Sequence, residues 1–208
     1  MIIQPGLAKI EGFVKIFDPN SGEVILDKKN AIHYENISIA MAQTLSDRNI
    51  GYIYAMAFGN GGSSVDPTGI ITYLPTNTVG QNANLYNATY SKIVDNTAIA
   101  NPDPVNNKMT VTHIPGTVYT DILVSCLLDY GEPSGQSAFD NSTNLSGTFV
   151  FDELGLRGRS TDGTSGLSST GLLLTHVVFH PVQKALNRLI QIDYTVRIQT
   201  LTNLSSQG

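Results

Sequence analysis

Residues 59–64 read Gly-Asn-Gly-Gly-Ser-Ser and follow the apolar run Tyr52–Phe58. A strand that breaks into a glycine-rich turn is one way a phosphate site begins, because freed backbone N–H groups face the anion. Here Ser64 stands where a dinucleotide fingerprint needs its third glycine, and the P-loop lysine is missing. The turn runs on into Val-Asp-Pro-Thr-Gly, where Pro67 and Gly69 exclude the helix both motifs require. The glycines are therefore expected to serve the backbone, through positive φ and close chain approach. His176 and His180 are four apart, a metal clamp on a helix, but β-branched neighbours and Pro181 predict a strand. On a strand the two share a face about 13 Å apart, too far for one zinc ion. His33 and His113 lie far off in sequence, so no metal and no cofactor is expected. Asp152 and Glu153 could supply the two carboxylates of glycoside hydrolysis. Adjacent strand residues point to opposite faces, so a structural ion pair or a contact with a neighbouring subunit is the expectation. Ser125 has no Gly-x-Ser-x-Gly around it, and Cys126 sits in an apolar run as a small buried hydrophobe. No enzyme class gains support, and the chain is read as non-enzymatic.

Elements that would position these residues follow from hydrophobic period. Residues 8–33 read as a hairpin turning at Pro-Asn-Ser-Gly, with Ile10, Phe13 or Val14, and Ile16 or Phe17 competing for the inner face. Ile37, Ala40, Met41, Thr44 and Leu45 recur at helical spacing and predict one helix over 34–47. Residues 50–58 are expected to form a buried strand, and strand-like pieces recur at 69–74 and 88–95. Five denser runs follow, the last with Ile190, Ile192, Tyr194, Val196 and Ile198 on one face. The fold class expected is mainly β, a β-sandwich or jelly-roll-like domain with one short α-helix and long irregular loops. Residues 1–208 read as a single domain carrying a long loop insertion at about 59–107. Stretches such as 75–87 and 96–107 are too polar to order on their own hydrophobicity, so packing on something else, a neighbouring subunit being one option, is expected to order them.

Composition narrows the partners. Only 14% of the 208 residues are charged, and the net charge of -5 leaves no basic track for nucleic acid or an anionic membrane. The start lacks the basic flank of a signal peptide, and no segment approaches the roughly 20 apolar residues of a membrane span. With one cysteine, the chain reads as a soluble protein made in a reducing cytoplasm. Seven tyrosines, among them Tyr73, Tyr86 and Tyr90, cluster near the long loops. Tyrosine can stack on sugars or bases, but without a basic track an interface is the preferred reading. Tyr73, Tyr86, Tyr90 and Phe139 in the loops, with Arg157 and Arg159 beside Asp-Glu-Leu-Gly-Leu, are the expected interface residues.

Three stretches together resemble virion structural proteins of tailed bacteriophages: residues 28–62, residues 124–141 with 149–158, and residues 172–198. The likeness covers most of the chain and carries no catalytic signature. It implies a virion component assembled in the host cytoplasm, most simply a cement or decoration protein that bridges capsid subunits. A homo-oligomer, often a trimer in such proteins, and contacts with the major capsid protein or other virion proteins are implied with it. A neck, tail or baseplate component is the alternative, and a carbohydrate-binding adsorption module is a second.

Overall fold

Alternating apolar positions mark several of the strands of this chain, and the computed structural model describes residues 8–48, 50–133, 148–159 and 171–200. In chain order the elements are β1 (Ala8–Phe17), β2 (Val24–Ile32), α1 (Tyr34–Leu45), β3 (Ile53–Gly59), β4 (Ser63–Val65) and β5 (Ile71–Tyr73). They continue as β6 (Ala88–Ile93), β7 (Lys108–His113), β8 (Tyr119–Leu128), β9 (Thr148–Gly158), β10 (Thr175–Ala185) and β11 (Ile190–Thr200). Nine strands form one antiparallel sheet in the order β6-β3-β9-β10-β2-β1-β11-β8-β7, and β4-β5 make a separate hairpin. The fold is mainly β and sandwich-like. Among the described residues two ladder pairs, Thr175↔Ile32 and His176↔Ala31, link β10 of the four-stranded half to β2 of the five-stranded half. At the far side the sheet curls back on itself, and Lys92 of β6 donates to the Leu127 carbonyl of β8 at 2.6 Å.

The two inner faces meet in one core. Val14 and Ile16 of β1, Val124, Cys126 and Leu128 of β8, and Ile190, Ile192, Tyr194 and Val196 of β11 face Met56, Phe58, Phe149, Phe151 and Phe179. The inner face of β1 thus takes Val14 and Ile16, while Phe13 and Phe17 turn outward beneath Lys29 and Lys15. Phe151 sits at the centre of an aromatic group, with ring centroids 5.3 Å from Phe58, 5.5 Å from Phe149 and 5.8 Å from Phe179. Cys126 is wholly buried, and burial pushes its thiol up to about 12. No helix among the described residues is long and apolar enough to cross a membrane.

One irregularity in β9 decides the rest. Phe149 and Phe151 point into the core, but the alternation resumes at Leu154 and Leu156, one residue out of phase. Opposite this point β10 carries a bulge between Val178 and Val182. Asp152 and Glu153 are therefore left together on the outer side, where strict alternation would have separated them. The same bulge separates His176, which is buried, from His180, which is exposed, although period two puts them on one face. Both sequence expectations fail for one reason: a bulge resets the period.

Replacing Phe151 with alanine removes a fully packed ring, and the expected loss of stability is about 3–5 kcal/mol by urea denaturation. Val111→Ala on the exposed face of β7 is expected to change stability by less than about 0.5 kcal/mol.

Candidate functional site

Gly59 lies opposite Glu153 at the end of β3, and the chain then leaves the sheet and crosses the outer side of β9. There the glycine turn meets the acidic pair. Gly61 N–H donates to Glu153 Oε1 at 3.1 Å, and Gly62 N–H donates to Asp152 Oδ1 at 2.9 Å. Ser63 N–H donates to Asp152 Oδ2 at 2.7 Å, and its hydroxyl donates to the same oxygen. From the other side Asn87 N–H reaches Glu153 Oε1 at 2.8 Å and Tyr86 N–H reaches Oε2 at 2.9 Å. His176 Nε2 completes the set at 3.0 Å from Oε2. The turn is an anion nest in form, and the anions it holds are the protein's own carboxylates.

Glycine is required here for room alone. A Cβ on Gly59 would stand 2.5 Å from the Asn87 carbonyl and from Glu153 Oε1, and one on Gly61 would stand 2.8 Å from Asn87 N. None of Gly59, Gly61 and Gly62 has a positive φ, so the expected left-handed backbone is not used. Burial alone would raise the Glu153 carboxyl. The hydrogen bonds from His176, Asn87, Tyr86 and Gly61 outweigh that effect and hold it below the usual carboxylate range.

The same clasp begins a longer set of ties along residues 74–87. Asn77 N–H donates to His176 Nδ1 at 2.8 Å. His33, wholly buried at the start of α1, reaches the Gly80 carbonyl through Nε2 at 2.9 Å and accepts from Asn36 N–H through Nδ1 at 3.2 Å. Asn36 Nδ2 donates to the Gln81 carbonyl at 3.2 Å, and the Arg157 guanidinium holds the Asn84 side chain. Residues 95–107 are tied likewise. Asn101 Nδ2 donates to the Asp95 and Asn107 carbonyls, and Asn107 Oδ1 accepts from Leu127 N–H at 3.0 Å. These stretches are tied down by packing on the rest of the chain, as their polar composition required; a neighbouring subunit is not needed for these ties. Buried polar side chains on strands and at the helix start supply what hydrophobic side chains in the loops lack.

A second buried cluster holds the chain after β8. Lys184 Nζ is fully buried and donates to the carbonyls of Asp129, Glu132 and Ala185 at 3.0, 2.9 and 2.9 Å. Burial pulls its ammonium down to about 8. Lys92 pairs with the Glu132 carboxylate beside it. Neither cluster makes a metal centre: among the described residues no three His, Cys, Asp or Glu side chains are placed to hold an ion. Between α1 and the sheet lies a cleft of about 390 Å³ lined by Ile10, Met41, Leu45, Met109, Val111 and Ile198, among others. Leu45 at its rim is 84% exposed, so the helix stripe is split, with Ile37 and Ala40 in the core and Leu45 outside it.

The residues expected at an interface scatter across the structure. Tyr73 and Tyr86 are exposed, Tyr73 beside His180 at 3.2 Å and Tyr86 bonded to the Pro75 carbonyl at 2.7 Å. Tyr90 lies on β6, packed on Phe58 and Phe149, and burial raises its hydroxyl well above the ordinary range. Arg157 is buried, with its guanidinium held by the Gly171 carbonyl and Asn84. The Arg157 side chain is thus engaged within the chain, while Tyr90 is half-buried against the core. Arg159 lies over the Tyr54 ring at 5.0 Å, and Phe139 lies outside the described residues. Sequence reasoning missed the roles of His33, Asn36, Lys92 and Lys184. Their only signal was a polar residue inside an otherwise apolar run. No protein-family model, curated protein or solved structure matches the chain.

Glu153→Gln places an NH₂ group against backbone donors and is expected to cost about 3 kcal/mol in urea denaturation. Because the folded carboxyl is held below its unfolded value near 4.5, its contribution is complete above pH 4.5 and is lost as pH falls through the folded value. The difference in stability between wild type and Glu153→Gln is therefore expected to shrink on acidification below pH 4.5, and a difference constant down to pH 3 would contradict the assignment.

Proposed function

We propose that this chain is a non-enzymatic structural component of a tailed-phage virion, a cement or decoration protein that stabilises the capsid through contacts between subunits. The reading rests on the resemblance of residues 28–62, 124–141 and 172–198 to such proteins. One structural observation supports it most. The groups that could do chemistry, Asp152, Glu153, His176 and Cys126, are buried, while the β4-β5 hairpin, fastened to β9 through Ser63 and Asp152, displays apolar side chains. Val65 and Ile70 on that hairpin are 61% and 63% exposed, and Tyr73 and Leu74 extend the patch. Such side chains beside few charges suit burial against a protein surface. A further copy of this chain and the major capsid protein are the proposed partners. Specific attachment would require burying roughly 1,200–2,000 Å² per contact, and repetition around symmetry axes would add avidity.

Copy number in purified virions tests the reading, with hundreds of copies expected on the shell. Six or twelve copies would instead place the protein in the neck, tail or baseplate. The double variant Val65→Asp, Ile70→Asp is expected to fold normally, since both positions are exposed, and to lose incorporation at least tenfold. Undiminished incorporation would rule out the hairpin as the contact.

A further inference from the structure

His176 is buried on both ring edges and can hold its place in only one form. The Asn77 backbone N–H lies 2.8 Å from Nδ1, and a backbone amide can only donate, so Nδ1 carries the lone pair. Nε2 then carries the proton and donates to Glu153 Oε2 at 3.0 Å. The ring is a neutral bridge between a strand carboxylate and the segment that crosses over it. A second proton must go on Nδ1, where it would face the Asn77 N–H donor to donor. The Nε2–H bond to Glu153 survives that change and gains charge, while the bond to Asn77 cannot.

We propose that residues 74–87 form a strap latched by neutral His176, and that mild acid opens the strap at Asn77 while the fold persists. Two groups of ties divide the strap. Near its start Asn77 hangs on His176, and Asn77 Nδ2 also donates to the Asn84 carbonyl of the strap itself. Near its end Tyr86 and Asn87 hang on Glu153, which stays ionised through mild acid because its carboxyl is held below the usual range. Between them Gly80 hangs on His33 through Nε2, the nitrogen that keeps its proton when the ring is charged. A second proton on His33 would cut its Nδ1 bond to Asn36, at the start of α1, and not the bond to the strap. The titratable groups facing the His176 ring are Glu153 on β9 and Tyr86 on the strap, whose ring lies 5.8 Å away. Glu35 follows His33 in the first turn of α1, and Arg157 of β9 holds Asn84. Leu74 N–H, at the very start of the strap, donates to the Gly62 carbonyl at 2.8 Å, a bond acid does not touch. Acid therefore acts first at one point, Asn77, and the strap opens there between fixed ends. Opening uncovers the Glu153–His176 pair and frees Val79, already 87% exposed, to move with its neighbours. The latch does not depend on the virion reading.

Amide exchange followed by NMR between pH 7.5 and 5, corrected for intrinsic rates, tests the latch. In the full-length wild-type protein the opening constant at Asn77 is expected to rise about tenfold per pH unit once the ring begins to titrate, the slope of a single linked proton. In His176→Asn the side-chain oxygen stands near the place of Nδ1 and takes up no proton, so the slope is expected to vanish. A wild-type opening constant flat with pH, an unchanged slope in His176→Asn, or protection of Asn77 that lasts until global unfolding would each overturn the proposal. Should His176→Asn not fold, the wild-type ring resonances decide alone. The His176 ring and the Asn77 amide are expected to shift with one midpoint, and a ring that titrates while Asn77 stays protected overturns the latch.

Discussion

A backbone amide that leaves a strand must find an acceptor, and in this protein two adjacent carboxylates provide it for two separate segments. Asp152 and Glu153 take five backbone N–H groups between them, three from the glycine turn and two from Tyr86 and Asn87. Each segment is too polar to be held by its own side chains, and each would otherwise leave donors facing a buried surface without partners. Charged acceptors make shorter and stronger hydrogen bonds than neutral ones. Removing either carboxylate would therefore orphan several amides at once, and the edge of the four-stranded half would lose its cover.

The arrangement depends on a defect in regular strand geometry. Without the phase slip after Phe151, one of the two carboxylates would point into the aromatic core, an expensive place for a charge. The bulge in β10 permits the slip and also lifts His180 out of the face that His176 occupies. A local irregularity thus creates a dense polar site on the outside of a strand whose inside is all phenylalanine and leucine. Bulges commonly re-aim side chains in this way.

The same solution recurs around the molecule. Lys184 ties two carbonyls after β8, Lys92 bridges β6 to β8, Asn101 and Asn107 organise 95–107, and His33 and Asn36 hold the middle of the strap. Long loops here cover a curled sheet and are fastened from below by buried polar side chains. Exposed apolar side chains are spread over the surface: Leu45 on α1, Val65 and Ile70 on the β4-β5 hairpin, Val79, Ile99 and Val105 in the loops, and Val111 on β7.

Much of the fold was legible in the residues themselves. Period-two runs located most of the strands, the alternation of 190–198 identified the inner face of β11, and three- and four-residue spacing located α1, because these patterns are local and repeat. The departure of the glycine turn from a phosphate-binding motif was also legible, since the missing lysine and third glycine are local features. What filled the glycine turn was not. Gly61 and Glu153 are 92 residues apart, and nothing in either neighbourhood announces the other. Strand β4 was missed because three residues are too short to show a period. The pairing of two carboxylates on one face, the neutral bridge of His176 and the burial of Arg157 were decided only by tertiary structure. A β-bulge resets the side of every residue after it, and only the neighbouring strand determines where that bulge falls.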